Sequence, residues 1–109
     1  MFYTARTKRP ILISPGYGAG WSTWAHDPEA ATAALTYQPL IDAVLRGDKI
    51  GEDHPAVVSF LESLGPDAYF YCGGLRDITV AYVEGDFDVN EYDGSESVTC
   101  HGGSNRTEV

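Results

Sequence analysis

Between Pro10 and Ser14 the chain carries an apolar run, Ile11-Leu12-Ile13, bounded by prolines. The pattern predicts a short strand with Ile11 and Ile13 on one face. Apolar positions then return at helical spacing. Asp27-Pro28-Glu29 reads as a helix start: an acid at the cap, proline at the first position, and a second acid complementing the dipole. Ala30 to Tyr37 continues that helix. Pro39 inside a helix would cost about 3 kcal/mol, so it opens a second helix with Gln38 before it. Leu40, Ile41, Val44 and Leu45 form its apolar stripe, and Gly47 closes it. A third helix opens at His54-Pro55, shows Val57, Val58, Leu61 and Leu64, and stops at Gly65-Pro66.

The second half changes period. Ala68 to Cys72, Ile78 to Val83 and Phe87 to Tyr92 alternate or run apolar as strands do. Gly73-Gly74, Glu84-Gly85-Asp86 and Asp93-Gly94 are turns between them, and a short fourth strand is expected from Ser97 to Cys100. The expected architecture is α+β, in one small domain over residues 10–100. A short N-terminal strand precedes two or three helices packed on a three- to four-stranded, mainly antiparallel sheet. Residues 1–9 read as a basic lead-in and 101–109 as a polar tail.

The chain has 109 residues, 43% hydrophobic and 21% charged, which fits a folded domain. No apolar run approaches the roughly 18 residues of a membrane span. Arg6, Lys8 and Arg9 are followed by only three apolar residues before Ser14-Pro15, too few for a signal peptide. The expected location is therefore the cytoplasm, with no membrane partner. Cys72, placed in a strand, and Cys100, near the tail, are expected as free thiols.

Charge narrows the partners further. The net charge is −9, and three of the seven basic residues fall within residues 1–9, leaving four against all sixteen acids. Such a body repels nucleic acid at long range, so direct nucleic-acid binding is not expected. An anionic ligand would need backbone amides and one or two local cations. The other option is an acidic surface that meets a basic protein.

The segment Ser14-Pro15-Gly16-Tyr17-Gly18-Ala19-Gly20-Trp21-Ser22-Thr23-Trp24 is the richest in candidate chemistry. It is not a dinucleotide fingerprint, because the third glycine comes one residue early and the helix begins well after it. Nor is it a phosphate-binding P-loop, since no Lys-Ser/Thr follows. Two readings remain. In one, the amides of Gly16, Gly18 and Gly20 and the hydroxyls of Ser22 and Thr23 hold an anion. Tyr17, Trp21 or Trp24 then stacks on a planar ring and Arg76 supplies the cation. In the other, the segment is a glycine-rich turn whose tryptophans plug the core. For Arg76 the plain alternative is a surface ion pair with Asp77 or Glu84.

Glu84, Asp86, Asp88, Glu91, Asp93 and Glu96 form an acidic stretch without a base. Asp86-x-Asp88-x-Asn90 resembles the start of a calcium loop, but Glu91 stands where that loop needs glycine and Ser97 where it needs glutamate. Because Phe87 and Val89 alternate with them, Asp86, Asp88 and Asn90 are expected on the solvent face of a strand. Asp86, Asp88, Glu91, Asp93 and Glu96 are the candidate partner-binding set. No metal site and no cofactor is expected. His26, His54 and His101 are scattered, and a Ser14, His26, Asp27 triad has nothing in the spacing to favour it, so the sequence leans away from catalysis.

The Ser14 to Trp24 run, with its Pro15 to Trp21 block, the Tyr71-Cys72-Gly73-Gly74 stretch and Glu91-Tyr92-Asp93-Gly94-Ser95-Glu96 together resemble a widespread group of small proteins encoded by tailed bacteriophages and prophages. The likeness spans roughly residues 9–98. One departure is Leu75, where the resemblance implies an aromatic residue after the paired glycines. The resemblance implies a phage-borne accessory protein of small α+β fold and brings no catalytic residue with it. By analogy of gene context it also implies counter-defence by one of two routes. The first is sequestering a small nucleotide-like signal, for which a dimer or larger assembly is expected. The second is blocking a basic, nucleic-acid-binding surface of a host defence protein.

Overall fold

The computed structural model describes residues 8–65 and 69–100. The fold is α+β. Strand β1 (Arg9–Ile13) leads into a single 3-10 turn at Ser22–Trp24, then helices α1 (Pro28–Leu35), α2 (Gln38–Arg46) and α3 (Pro55–Ser63). A second 3-10 segment, Gly73–Asp77, precedes strands β2 (Thr79–Val83), β3 (Phe87–Tyr92) and β4 (Ser95–Cys100). The lead-in before residue 8 and the tail 101–109 lie outside the described residues.

The strands form two antiparallel pairs instead of one sheet. β1 pairs with β2, with Ile11 opposite Ala81, and β3 pairs with β4, with Glu91 opposite Glu96. β1 is buried on both faces, which is why it reads as a continuous apolar run. Leu12 enters the main core with Trp21, Leu40, Ile41, Val57, Phe60, Phe70 and Leu75. Ile11 and Ile13 turn the other way, onto Val83, Phe87, Val89 and Val98. This second cluster seats the β3–β4 hairpin against β1.

The proline-led helix starts fall where the sequence places them, with two corrections. Asp27 makes no side-chain cap; its carbonyl accepts the Ala31 N–H at 2.9 Å. Leu45 and Val58 are exposed, although both belong to the predicted stripes. The inward face of α3 carries Val57, Phe60, Leu61 and Leu64, and Val58 sits about 100° away from Val57 around the helix axis. On α2, Ala43 takes the inward place that the pattern gives to Leu45. Gly47 ends α2 in the left-handed region at φ 87°, and Asp48 N–H reaches back to the Ala43 carbonyl at 3.1 Å.

The predicted strand at Ala68 to Cys72 is also corrected. Residue 68 lies outside the described residues, and 69–72 belong to no strand. The alternation there is real: Phe70 enters the core while Tyr69 and Tyr71 face outward. Period two sets side-chain direction here without recruiting a partner strand. Cys72 is accordingly half-buried in an irregular segment, not in a strand.

Candidate functional site

The Gly/Trp loop folds around a side chain of the protein itself. Glu96, on β4, is 1% exposed and its carboxylate fills the hollow that the loop encloses. One oxygen, Oε1, accepts the Ser14 N–H at 2.8 Å. The other, Oε2, accepts the Trp21 N–H at 2.7 Å, the Thr23 N–H at 3.0 Å and the Thr23 hydroxyl at 2.6 Å. Backbone amides at the start of a helical turn make a ready anion cradle, and charge-assisted bonds of this length are the strong kind. A buried carboxylate is tolerated only with such a full set of donors. Gly20 has to be glycine for the cradle to close. A Cβ there would stand 2.6 Å from the Thr23 hydroxyl oxygen and 2.7 Å from the Trp24 ring.

Trp21 locks the inner side of the loop. Its indole is 0% exposed and packs on Phe70 (centroids 4.8 Å apart) and Phe60 (5.6 Å). Its Nε1–H donates to the Ala34 carbonyl at 2.9 Å, one of the last-turn carbonyls of α1 that has no partner within the helix. The ring therefore has no face to offer a ligand. Ser22 is buried as well. Of the residues expected to hold a ligand, Gly20, Trp21, Ser22 and Thr23 line the inner arc, around Glu96.

The outer arc, Gly16, Tyr17 and Gly18, does lie beside Arg76, whose Nη2 is 3.7 Å from the place of a Gly18 Cβ. Tyr17 is 66% exposed. The electrostatics there are mixed, however. Arg76 Nε lies 3.6 Å from the Asp77 carboxylate, the ion pair expected as the plain alternative, and that carboxylate lies directly against Gly16. The Gly18 N–H already donates to the Asp93 carbonyl at 2.9 Å. A carboxylate therefore shares this arc with Arg76.

The sequence places Glu96 with the outward acidic set, and its burial is a correction to that expectation. The signal was present in the strand period. Glu96 shares a face of β4 with Val98, which packs in the cluster under β1. Asp88 and Asn90 on β3 are exposed as expected, as are Glu91 and Tyr92 at its end and Asp93 beyond it; Asp86 is exposed too, but in the bend before the strand and not on it. Glu91 nevertheless turns toward the body. Its Oε2 accepts the Trp24 Nε1–H at 3.1 Å and the Gly94 N–H at 2.7 Å, and these bonds, the Trp24 one first, hold its carboxyl below the usual range. Trp24 is half-buried and stacks on Tyr71 with centroids 5.5 Å apart and planes 25° from parallel.

The serine and histidine side chains that could serve hydrolysis are otherwise engaged or apart among the described residues. The Ser14 hydroxyl is buried and donates to the Ala19 carbonyl at 3.1 Å, while His26 is exposed and lies against the Tyr69 ring. A groove of about 560 Å³ between α2 and α3 is lined by Asp48, His54 and Ser59 among others. Both ring nitrogens of His54 are engaged, Nδ1 as acceptor for the Ala56 N–H at 3.0 Å and Nε2 with Asp48 at 3.0 Å. No lone pair is left to take a proton from Ser59, whose hydroxyl is bonded to that of Tyr37.

Cys72 and Cys100 are free thiols. Among the described residues no group of three His, Cys, Asp or Glu side chains is arranged to hold a metal ion, and no helix is long and apolar enough to cross a membrane. No family model, no curated protein and no solved structure matches this chain.

Proposed function

We propose that this protein works without catalysis, as an acidic interaction module that covers a basic, nucleic-acid-binding surface of a host protein. The single observation carrying the reading is the position of Glu96. The donors that would have welcomed a soluble anion are spent on it, so the loop is a structural clasp for the β3–β4 hairpin. The hairpin in turn presents Asp86, Asp88 and Asp93 outward, with Tyr92 77% exposed near its tip. Acids around an exposed tyrosine suit a surface rich in arginine and lysine, and the excess negative charge of the chain steers such a partner in. The resemblance to tailed-phage proteins fits an accessory role against a host defence protein. Sequestration of a nucleotide-like signal is the competing reading, and it would have to use the mixed-charge outer arc at Gly16, Tyr17, Gly18 and Arg76.

The test is retention of host proteins on the immobilised full chain across a salt series. Basic proteins are expected to be retained and to elute early as salt rises. Reversing charge with Asp86→Lys and Asp88→Lys should bring elution to still lower salt. Retention indifferent to salt and to both substitutions would overturn the proposal.

A further inference from the structure

A second feature of the surface concerns what the basic partner inserts. The segment 69–73 and the loop before α3 line a cavity of about 460 Å³. Glu52, Tyr69, Tyr71, Cys72 and Gly73 line it, and no described lining residue is basic. Its aromatic wall is fixed in advance. The phenol end of Tyr71 lies against Gly73, where a Cβ would stand 2.6 Å from it, and the ring stacks on Trp24 while staying 38% exposed beside the more open Tyr69. Trp24 is itself anchored to Glu91, so the strip runs from one carboxylate across two stacked rings to a second carboxylate at Glu52. The charge of Glu52 reaches into the cavity: after burial, it is the second cause raising the Cys72 thiol above its ordinary range.

A carboxylate beside exposed, immobilised aromatic faces is the chemistry that recognises an organic cation. A guanidinium fits it better than an ammonium. It is planar, so it stacks on a phenol ring while its edge forks onto a carboxylate, and it gives up hydration at lower cost. We infer that the cavity between Tyr71 and Glu52 is the seat of an arginine side chain from the basic partner. This inference rests on the interaction reading above and deepens it: the hairpin acids supply long-range attraction, and the cavity supplies the anchor.

The experiment titrates the full chain with three capped hexapeptides, of arginine, of lysine and of citrulline, following Trp24 emission and heat. The arginine peptide is expected to bind about tenfold tighter than the lysine peptide, with no saturable response to citrulline. Glu52→Gln, which leaves every ring in place, and Tyr71→Leu should each weaken the arginine peptide about tenfold and remove its advantage over lysine. Asp86→Lys with Asp88→Lys should weaken both cationic peptides alike. Arginine affinity unchanged by Glu52→Gln and Tyr71→Leu would overturn the arginine seat. If the hairpin reversal still weakened binding in that case, the interaction reading would survive alone. If neither pair of changes mattered, both would fall.

Discussion

Glu91 and Glu96 stand directly opposite each other across the β3–β4 pair, two like charges in one cross-strand position. Such a pairing destabilises a hairpin unless each charge has its own donors. Here each does. Glu91 takes Trp24 Nε1–H and Gly94 N–H, and Glu96 takes Ser14, Trp21 and Thr23. The hairpin is thus unfavourable alone and favourable once docked, which makes the Gly/Trp loop a condition for its seating. Further hydrogen bonds follow the same seam, with Glu96 N–H on the Ser14 carbonyl at 2.9 Å and the Ser95 hydroxyl on the Pro15 carbonyl at 2.6 Å.

Glu96→Ala should destabilise the fold severely. It strands the N–H groups of Ser14, Trp21 and Thr23 around a buried space, and each unsatisfied donor costs about 1–3 kcal/mol. A loss of at least about 3 kcal/mol in urea unfolding is expected, with Glu96→Gln in between, since its NH₂ faces donors. A loss below about 1 kcal/mol would mean that the cradle amides find other partners.

The two tryptophans should separate cleanly in fluorescence. Trp24→Phe leaves only the sealed Trp21, which should emit at short wavelength and resist iodide. Trp21→Phe leaves the half-buried Trp24, which should be quenched readily; it also loses the bond to the Ala34 carbonyl and some stability. Equal quenching of the two variants would contradict the packing described here.

Acid should weaken the fold through two surface carboxylates. Arg46, at 2.7 Å, and then His54 hold Asp48 below its usual range, and Trp24 and Gly94 do the same for Glu91. A carboxyl lowered by folding stabilises above its ordinary value, about 4, and that contribution disappears as pH falls through the lowered one. Between about pH 6 and pH 2.5 the urea midpoint of the natural chain should therefore drop further than that of Asp48→Asn with Glu91→Gln. Parallel drops would refute this assignment.

Gly94 and Gly47 offer a matched pair. Both are left-handed, at φ 85° and 87°, but a Cβ at Gly47 meets open space while one at Gly94 falls on the backbone of Ala19. Gly47→Ala should cost the conformational strain alone, on the order of 1 kcal/mol, and Gly94→Ala clearly more. Equal costs would show that the hairpin tip does not press on the loop.

The helix starts were legible because proline and its neighbours act locally, and the β3 strand because Phe87 and Val89 alternate with acids. The stretch at Tyr69 to Cys72 misled for the opposite reason: alternation fixes which way a side chain points, while pairing depends on a neighbour that the segment does not contain. The loop's amides and hydroxyls are legible as donors suited to an anion, and its tryptophans as a plug, which Trp21 is. Its anion was missed because Glu96 lies more than seventy positions from Trp21 and Thr23 and reads, in sequence, as one more member of an acidic run. Only its place on the face of Val98 set it apart. Arg76 beside Gly18 was foreseeable from charge scarcity, and its pairing with Asp77 from adjacency.

The most direct test is to follow the backbone amide resonances of Trp21 and Thr23 in the intact chain while adding inorganic phosphate and then a cyclic dinucleotide. With Glu96 seated between them, both resonances should stay in place throughout. A saturable shift of either one would mean that the cradle is open to solution anions, and the account of a self-filled clasp would be wrong.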